Sequence, residues 1–241
     1  MAGKLGVVIG HGYFRGTDEE RRLLKTADVV IAADAGAVYS LKMGRSPEAV
    51  VGDLDSLREL TVWSDGTAEP PKTGCRLLQV PAEKDETDME LALDEAVGRG
   101  CTEVVLLGAM GGRLDHALAN LQLLASAAEA GIRVKVQDGP CQVQLMLGEG
   151  EESGEAADGA FSELELSGRP GEYLSLIPLT PEVHGVTTEG LKYPLRGETL
   201  YLGRTRGISN EFVDGRARVT LRAGKLLVVQ PGVKAGEETA E

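Results

Sequence analysis

The sequence predicts an α/β domain with a doubly wound, mostly parallel sheet and helices on both faces, followed by an all-β sandwich domain. Two observations carry this prediction. In the first half, short apolar runs alternate with segments of helical periodicity, which is typical of a parallel sheet covered on both faces. In the second half, strand-like segments are separated by Gly and Pro without a helical period, which favours an antiparallel sandwich or barrel.

The elements of the first half follow from the spacing of its apolar residues. Leu114–Ala130 is the clearest helix, because Leu121, Leu124 and Ala128 fall on one face. Further helices are predicted at Glu19–Lys25, Val38–Met43 and Met89–Val97. Strands are predicted at Leu5–Ile9, Val29–Ala32, Ala49–Gly52, Arg76–Val80, Val104–Leu107 and Ile132–Val136.

The second half is predicted to contain strands only. Arg216–Leu221 alternates clearly, with Ala217 and Val219 on one face. The acidic segment Gly148–Gly159 is expected to be an exposed loop. The domain boundary is placed near Asp138–Gly139, so that residues 1–138 and 139–230 form the two domains and 231–241 a disordered tail. The other predicted strands are Cys141–Leu147, Phe161–Leu166, Tyr173–Ile177, Leu191–Leu195 and Lys225–Val229.

The composition excludes several classes of protein. A net charge of -13 argues against a nucleic-acid partner, because phosphate backbones are bound by clustered Lys and Arg. The sequence has no apolar run of the length that a membrane span needs and no pattern of a secretory signal. Its 3 cysteines are widely spaced and form neither a disulfide framework nor a zinc pattern. We therefore expect a cytoplasmic protein.

Acidic side chains follow the predicted strands of the first half at the points where the strands end. Asp34 follows the second strand, Asp53 and Asp55 follow the third, and Asp85 and Asp88 follow the fourth. Because ligands of doubly wound sheets bind outside the carboxyl ends of the strands, we expect these carboxylates to share one crevice. Oxygen ligands favour Mg²⁺, Mn²⁺ or Ca²⁺ over zinc, so the pattern indicates a metal–nucleotide site.

The segment after the fifth strand adds candidates for phosphate binding. Gly111-Gly112 precedes Arg113, Asp115 and His116 at the start of the longest predicted helix. An arginine in this position is suited to bidentate contacts with phosphate. Gly10–Gly12 after the first strand also suggests a phosphate loop, although it does not match the full dinucleotide fingerprint.

Each motif also has a purely structural interpretation. Asp53–Ser56 fits a turn or a helix cap, and Asp115 fits a cap of the long helix. Thr87 with Glu90 fits a capping box. The coincidence of all these groups at one edge of one sheet favours the functional interpretation.

Seven motifs follow one another along nearly all of the chain. They are Asp34–Ala37, Gly52–Ser56, Lys84–Asp88, Gly111–His116 continued by Asn120, Ser175–Pro178, Thr188–Leu195 and Gly207–Asn210. This ordered set resembles the thiamine pyrophosphokinase family. The resemblance implies a nucleotide-binding catalytic domain followed by a thiamine-binding and dimerisation domain. It also implies a homodimer, with thiamine bound between subunits, and a reaction that uses ATP and Mg²⁺.

The resemblance further implies roles for single residues. The metal ligands are expected to be Asp53, Asp55, Asp85 and Asp88, of which Asp53, Asp55 and Asp88 are also expected to be catalytic. The nucleotide-binding residues are expected to be Asp34, Gly36, Gly111, Arg113, Asp115 and His116. The thiamine-binding residues are expected to be Thr188, Tyr193, Ser209 and Asn210.

Two other functions use the same residues. In the first, the chain is a pyrophosphokinase or a nucleotidyl-type transferase that acts on another alcohol, because related folds carry similar acidic edges. In the second, the chain is a sensor that binds metal and ligand without turnover. Loss of some acids would indicate the sensor, but all the expected acids are present in the sequence.

Overall fold

The chain divides into two compact units, Met1–Gly139 and Pro140–Glu241. The structure is a computed structural model, and it describes residues 3–52, 75–81, 83–149 and 162–234. Within these ranges, none of the helices has the length and apolar character needed to cross a membrane.

A parallel sheet forms the centre of the first unit. In the described residues it has six strands: β1 (Leu5–Ile9), β2 (Val29–Ala33), β3 (Ala49–Gly52), β4 (Arg76–Gln79), β5 (Glu103–Leu107) and β6 (Arg133–Asp138). Their spatial order is β4-β3-β2-β1-β5-β6, and every pair is parallel. The predicted parallel sheet is therefore confirmed. The strand order reverses between β1 and β5, so the loops after these two strands flank the crevice where such sheets bind ligands.

Four helices are described in the first unit: α1 (Asp18–Thr26), α2 (Gly36–Lys42), α3 (Asp88–Gly98) and α4 (Leu114–Glu129). α1 begins with a capping box, in which the Thr17 hydroxyl accepts the Glu20 N–H at 3.2 Å and the Glu20 carboxylate accepts the Thr17 N–H at 2.7 Å. Thr87 caps α3 by accepting the N–H of Glu90 at 3.2 Å. This cap places Asp88 in the first turn of α3.

The core of the first unit centres on β1, β2 and β5. Val7, Ile9, Val30 and Leu107 are each 0% exposed. Burial on both faces of the sheet explains why these strands are continuous apolar runs in the sequence rather than alternating ones. Each fully buried side chain of this size contributes roughly 1.5–3 kcal/mol relative to an exposed one.

The second unit is rich in antiparallel strands, which confirms the prediction at this level. β14 lies between β7 and β9, and β10 pairs with β11, β13 and β14. Leu174, Leu176 and Leu226 lie in its core with at most 1% of their surface exposed. Its described strands are β7 (Cys141–Glu149), β8 (Ser162–Ser167), β9 (Tyr173–Pro178), β10 (Glu182–Glu189), β11 (Arg196–Tyr201), β12 (Asn210–Glu211), β13 (Arg216–Leu221) and β14 (Ala223–Gln230).

One predicted strand of the second unit is wrong, and three observed strands, β10, β11 and β12, are missed. Leu191–Leu195 is an irregular connection between β10 and β11, and its apolar spacing arises because Leu191 and Leu195 are buried, at 5% and 1% exposure. The sequence pattern misses β10 because Gly185, with φ 69, falls where the pairing with β11 shifts register. A bulge of this kind interrupts the alternation that identifies a strand.

Two segments were expected to be unstructured. Gly148 and Glu149 of the acidic segment belong to β7, and the rest of that segment, from residue 150, lies outside the described residues. Residues 231–234 of the expected tail instead pair with the start of β9, where the Tyr173 N–H donates to the Val233 carbonyl at 3.0 Å. Residues 235–241 lie outside the described residues.

Gly36 begins α2 directly over the end of β1. A Cβ added at Gly36 would lie 2.0 Å from the carbonyl oxygen of Ile9. We expect Gly36→Ala to lower the free energy of unfolding by about 2–3 kcal/mol, because the buried strand cannot move away. Chemical denaturation of the variant and of the parent protein measures this difference.

The matched control is Gly98→Ala at the end of α3, where no described atom lies within 4 Å of an added Cβ. This variant is expected to be unchanged or more stable by up to about 1 kcal/mol, since Ala favours the helix. Equal stability of the two variants would contradict the close contact between Gly36 and β1.

Candidate functional site

The loops after β1 and β5 pack against each other at the carboxyl edge of the parallel sheet. Three backbone hydrogen bonds join them: Gly10 N–H to Leu107 O at 2.8 Å, Gly12 N–H to Gly108 O at 2.7 Å, and Tyr13 N–H to Met110 O at 2.6 Å. The pairing therefore continues past the ends of the two strands. It brings both loops to the point where the strand order reverses.

Glycine makes this close approach possible. A Cβ on Gly12 would lie 2.1 Å from the Met110 carbonyl oxygen, and a Cβ on Gly111 would lie 2.2 Å from the Tyr13 ring. The Tyr13 ring thus lies on the backbone of Gly111, with 64% of the residue exposed. The close contact between the two backbones therefore explains Gly12 of the Gly10–Gly12 motif. Tyr13 is missed by the sequence analysis, because an isolated exposed aromatic gives no periodic signal.

Asp34 lies at the end of β2 in a left-handed conformation, with φ 52, which is uncommon outside glycine. Its N–H donates to the carbonyl of Val51 at 2.8 Å. Its Oδ1 lies beside Gly52 at the end of β3, since a Cβ added there would be 3.0 Å from this oxygen. The Asp34 carboxylate therefore lies beside the residue that precedes Asp53. Asp53 and Asp55 themselves lie outside the described residues.

Asp88 and Asp85 lie at the start of α3 and in the segment before it. The ammonium group of Lys84 binds the Asp88 carboxylate, and their side chains are 15% and 30% exposed, respectively. Asp85 is exposed. In the part of the chain that the structure describes, no three His, Cys, Asp or Glu side chains form a group that could hold a metal ion. The Asp88 carboxylate is paired with the Lys84 ammonium at the start of α3.

Arg113, Asp115 and His116 are exposed at the start of α4. The Arg113 guanidinium donates to the Asp115 carboxylate at 2.5 and 3.2 Å, and the His116 N–H donates to the same carboxylate at 3.0 Å. The hydrogen bonds from Arg113 lower the pKa of Asp115 to about 2, so the carboxylate is ionised at neutral pH. Both side chains are largely exposed, at 72% and 64%, so solvent screens this ion pair.

Two buried side chains hold residues 108–113, here named the glycine loop. Asn120 on α4 donates from Nδ2 to the carbonyl of Ala109 at 2.7 Å. Asp138 at the end of β6 accepts the Met110 N–H through Oδ2 at 3.1 Å. The sequence analysis notes Asn120 only as part of a motif and misses a role for Asp138, because no local pattern links the end of β6 to the loop after β5.

In the second unit, the four candidate residues divide into exposed and buried pairs. Tyr193 is 53% exposed, and Ser209 is exposed in a left-handed conformation with φ 55. Thr188 and Asn210 are 3% and 4% exposed. The Thr188 hydroxyl accepts the Leu195 N–H at 2.9 Å. Asn210 accepts the N–H of Tyr193 at 3.0 Å and donates to its carbonyl at 2.7 Å, so it fixes the backbone that carries the Tyr193 ring.

The edge of the first unit thus combines three kinds of group. Asp34 and Asp88 supply carboxylate oxygens, Gly112 of the glycine loop exposes backbone without a side chain, and Arg113 supplies a guanidinium. Acids and an arginine on separate loops are suited to a phosphate chain whose charge is shared with a divalent cation. The described geometry therefore fits a metal–nucleotide site.

Two family models match the chain. Residues 21–136 match the family model described as thiamin pyrophosphokinase, catalytic domain. Residues 162–226 match the one described as thiamin pyrophosphokinase, vitamin B1 binding domain. The first match falls within the first unit and the second match within the second unit.

Known relatives and solved structures lead to the same family. A thiamine pyrophosphokinase of Bacillus subtilis is 32% identical over 200 residues, which are 83% of this chain and 86% of that relative. A crystal structure of thiamine pyrophosphokinase from Bacillus subtilis has a TM-score of 0.74 at 25% identity, covering 95% of this chain and 100% of that one. For a thiamin pyrophosphokinase family protein from Enterococcus faecalis, the TM-score is 0.73 at 29% identity, covering 96% of this chain and 100% of that one. The chain therefore belongs to the thiamine pyrophosphokinase family.

Proposed function

We propose that the protein is a Mg²⁺-dependent enzyme that transfers the pyrophosphoryl group of ATP to the hydroxyl of thiamine, giving thiamine diphosphate and AMP. The observation that carries this proposal is the pairing of the loops after β1 and β5. This pairing brings a glycine loop and Arg113 to the reversal point of a parallel sheet. The matches to a catalytic and a vitamin B1 binding family support the choice of substrates.

The reaction is a displacement at the β-phosphorus of ATP. A bond forms between the thiamine hydroxyl oxygen and the β-phosphorus, while the bond from the β-phosphorus to the oxygen shared with the α-phosphate breaks. AMP leaves with that oxygen. The hydroxyl proton passes to a carboxylate, for which we propose Asp55 or Asp88. Such transfers depend mainly on positioning and charge compensation, which the loops at the sheet edge provide.

The acids after β3 and β4 are the proposed metal ligands. When bound, Mg²⁺ supplies charge compensation for the phosphate oxygens. The position of Asp88 in the first turn of α3, with its side chain 30% exposed, supports this assignment. The carboxylate of Asp34 beside Gly52 extends the acidic edge toward the same segment. The proposed ligands are Asp53, Asp55, Asp85 and Asp88.

The loops after β2 and β5 are the proposed nucleotide side. The exposed Arg113–Asp115 pair supports this role, because a phosphate can replace Asp115 and accept two parallel hydrogen bonds from the guanidinium. Gly111 brings backbone rather than a side chain toward the ligand. The proposed nucleotide-binding residues are Asp34, Gly36, Gly111, Arg113, Asp115 and His116.

The thiamine side is proposed to combine two contacting residues with two positioning residues. The exposure of Tyr193 and Ser209 supports direct contact with the ligand. The Tyr193 ring is suited to the fixed positive charge of the thiazolium. Asn210 holds the backbone of Tyr193 itself, and Thr188 holds that of Leu195, two residues later, through the hydrogen bonds of their buried side chains.

At the level of the whole chain, we propose a catalytic domain at 1–138 with helices on both faces of the sheet. Residues 139–230 are proposed to form a sandwich that binds thiamine and pairs with a second copy of the chain. Exposed apolar side chains of the second unit support a homodimer, because such patches mark interfaces: Ile177, Tyr201, Leu202 and Ile208. The free thiols support a cytoplasmic location.

The proposed function predicts AMP release that depends on three components. We expect AMP and thiamine diphosphate to form when ATP, Mg²⁺ and thiamine are all present, and neither product when any one is omitted. Chromatography of the nucleotides and phosphorus NMR of the products measure this. AMP release with a different alcohol but not with thiamine would contradict the acceptor, and no turnover under varied metals would contradict the enzyme.

Replacing a proposed metal ligand separates catalysis from folding. Asp88→Asn is expected to lower kcat by on the order of 100-fold, because the charge that compensates the transferring phosphate is lost. The matched control is Asp94→Asn, the same change at an exposed position on α3, which should leave kcat unchanged. If Asp88→Asn and Asp94→Asn have the same kcat, Asp88 does not belong to the site.

The thiamine side is tested by removing one exposed hydroxyl. Ser209→Ala is expected to raise the KM for thiamine about three- to tenfold and to leave the KM for ATP unchanged, as for loss of one hydrogen bond. Ser167→Ala, at another exposed serine of the second unit, is the control. A larger rise in the KM for ATP than in the KM for thiamine would contradict the assignment of Ser209 to the thiamine side.

A further inference from the structure

The glycine loop is held at Met110 by hydrogen bonds from two different elements. The Tyr13 N–H donates to the Met110 carbonyl at 2.6 Å, and Asp138 Oδ2 accepts the Met110 N–H at 3.1 Å. Met110 is followed directly by Gly111-Gly112 and Arg113. The two glycines have φ 87 and 68 and belong to no helix or strand that would fix them. Arg113 is the N-cap of α4, so the anchor at Met110 and the start of α4 fix the two ends of the Gly111-Gly112 segment.

Asp138 is itself tied to a second buried carboxylate. It is 8% exposed, and the N–H of the next residue, Gly139, donates to Glu20 Oε1 at 2.9 Å. Glu20 is 0% exposed, and its other oxygen accepts the Thr17 N–H in the capping box of α1. A chain of hydrogen bonds thus runs from the start of α1, through the end of β6, to the loop after β5.

A carboxylate loses its solvation when it is buried, and one accepted N–H does not compensate for that loss. Burial, with a smaller contribution from the charge of Glu20, raises the pKa of Asp138 to about 7, although the Met110 N–H and Arg15 oppose the shift. In the described part of the chain, Oδ1 of Asp138 has no hydrogen-bond partner. A neutral Asn would accept the same N–H with less loss of solvation. Packing therefore does not explain the carboxylate, which in its ionised form binds the Met110 N–H more strongly than a neutral amide would.

Building on the proposed function, we propose that Asp138 is a positioning residue for the nucleotide. It fixes Met110, so that the backbone of Gly111-Gly112 and the guanidinium of Arg113 are held ready for the phosphates. Asp138 acts through the loop and does not itself touch the substrate. Its loss should therefore weaken ATP binding and leave thiamine binding unchanged, since the proposed thiamine-side residues belong to the second unit.

The test compares Asp138→Ala and Asp138→Asn in the full chain. Calorimetric titration with ATP and Mg²⁺, without thiamine, gives the Kd for ATP, and turnover gives the KM of each substrate. Asp138→Ala is expected to raise the Kd and KM for ATP about 10- to 100-fold, as for loss of a charge-assisted hydrogen bond. Asp138→Asn keeps an acceptor for the Met110 N–H, so a rise of about two- to fivefold is expected. The KM for thiamine should be unchanged in both.

The matched control is Val136→Ala. Val136 lies two residues earlier on β6 and is 0% exposed, so its truncation weakens the strand without removing the hydrogen bond to Met110. We expect its Kd for ATP to equal that of the parent protein. Equal weakening by Val136→Ala and Asp138→Ala would overturn the positioning role and leave Asp138 a merely structural residue.

Other outcomes are equally decisive. Parental affinity for ATP in Asp138→Ala overturns the proposal, and if that variant does not fold, parental affinity in Asp138→Asn overturns it. A parent protein that binds ATP but makes no thiamine diphosphate would contradict the proposed function alone, because the comparison of Kd values still tests Asp138. A parent protein that binds no ATP would contradict both.

Discussion

The close approach of two backbone segments is the constraint on which the site of the first unit depends. Beyond the ends of β1 and β5, the chain continues to pair from Gly10 to Tyr13 and from Leu107 to Met110. Only glycine is compatible with this spacing at residue 12, since a Cβ there would overlap two carbonyl oxygens. The start of α4, the exposed backbone of the glycine loop and the position of Arg113 all follow from where this pairing ends.

Acidic side chains serve two different purposes around this pairing. Glu20 and Asp138 are buried and accept backbone N–H groups, which is the condition under which a carboxylate is tolerated in the interior. Asp115 is exposed, and its bond to Arg113 is weak enough to exchange. A fixed internal network therefore supports surface groups whose partners can change when a ligand arrives.

The second unit adds side chains to backbone pairing. The connection between β10 and β11 buries Leu191 and Leu195 but forms no regular ladder, so its backbone groups need other partners. Backbone groups of neighbouring segments provide some of them, and the side chains of Thr188 and Asn210 provide others, at Leu195 and at Tyr193. This arrangement holds Tyr193 at the surface, while the polar side chains that support it are inaccessible to solvent.

The sequence by itself determined the parallel sheet, the β-rich second half, the position of the acids at strand ends and the family, because apolar spacing and motif order are local properties of the chain. It did not distinguish the buried connection Leu191–Leu195 from a strand, since burial produces the same apolar pattern in both. Only the tertiary structure decided which residues hold the site. Asp138 and Met110 are 28 residues apart in the sequence, and Thr188 and Asn210 have structural partners that no spacing predicts. Such contacts depend on how strands are ordered in space, which a local pattern does not encode.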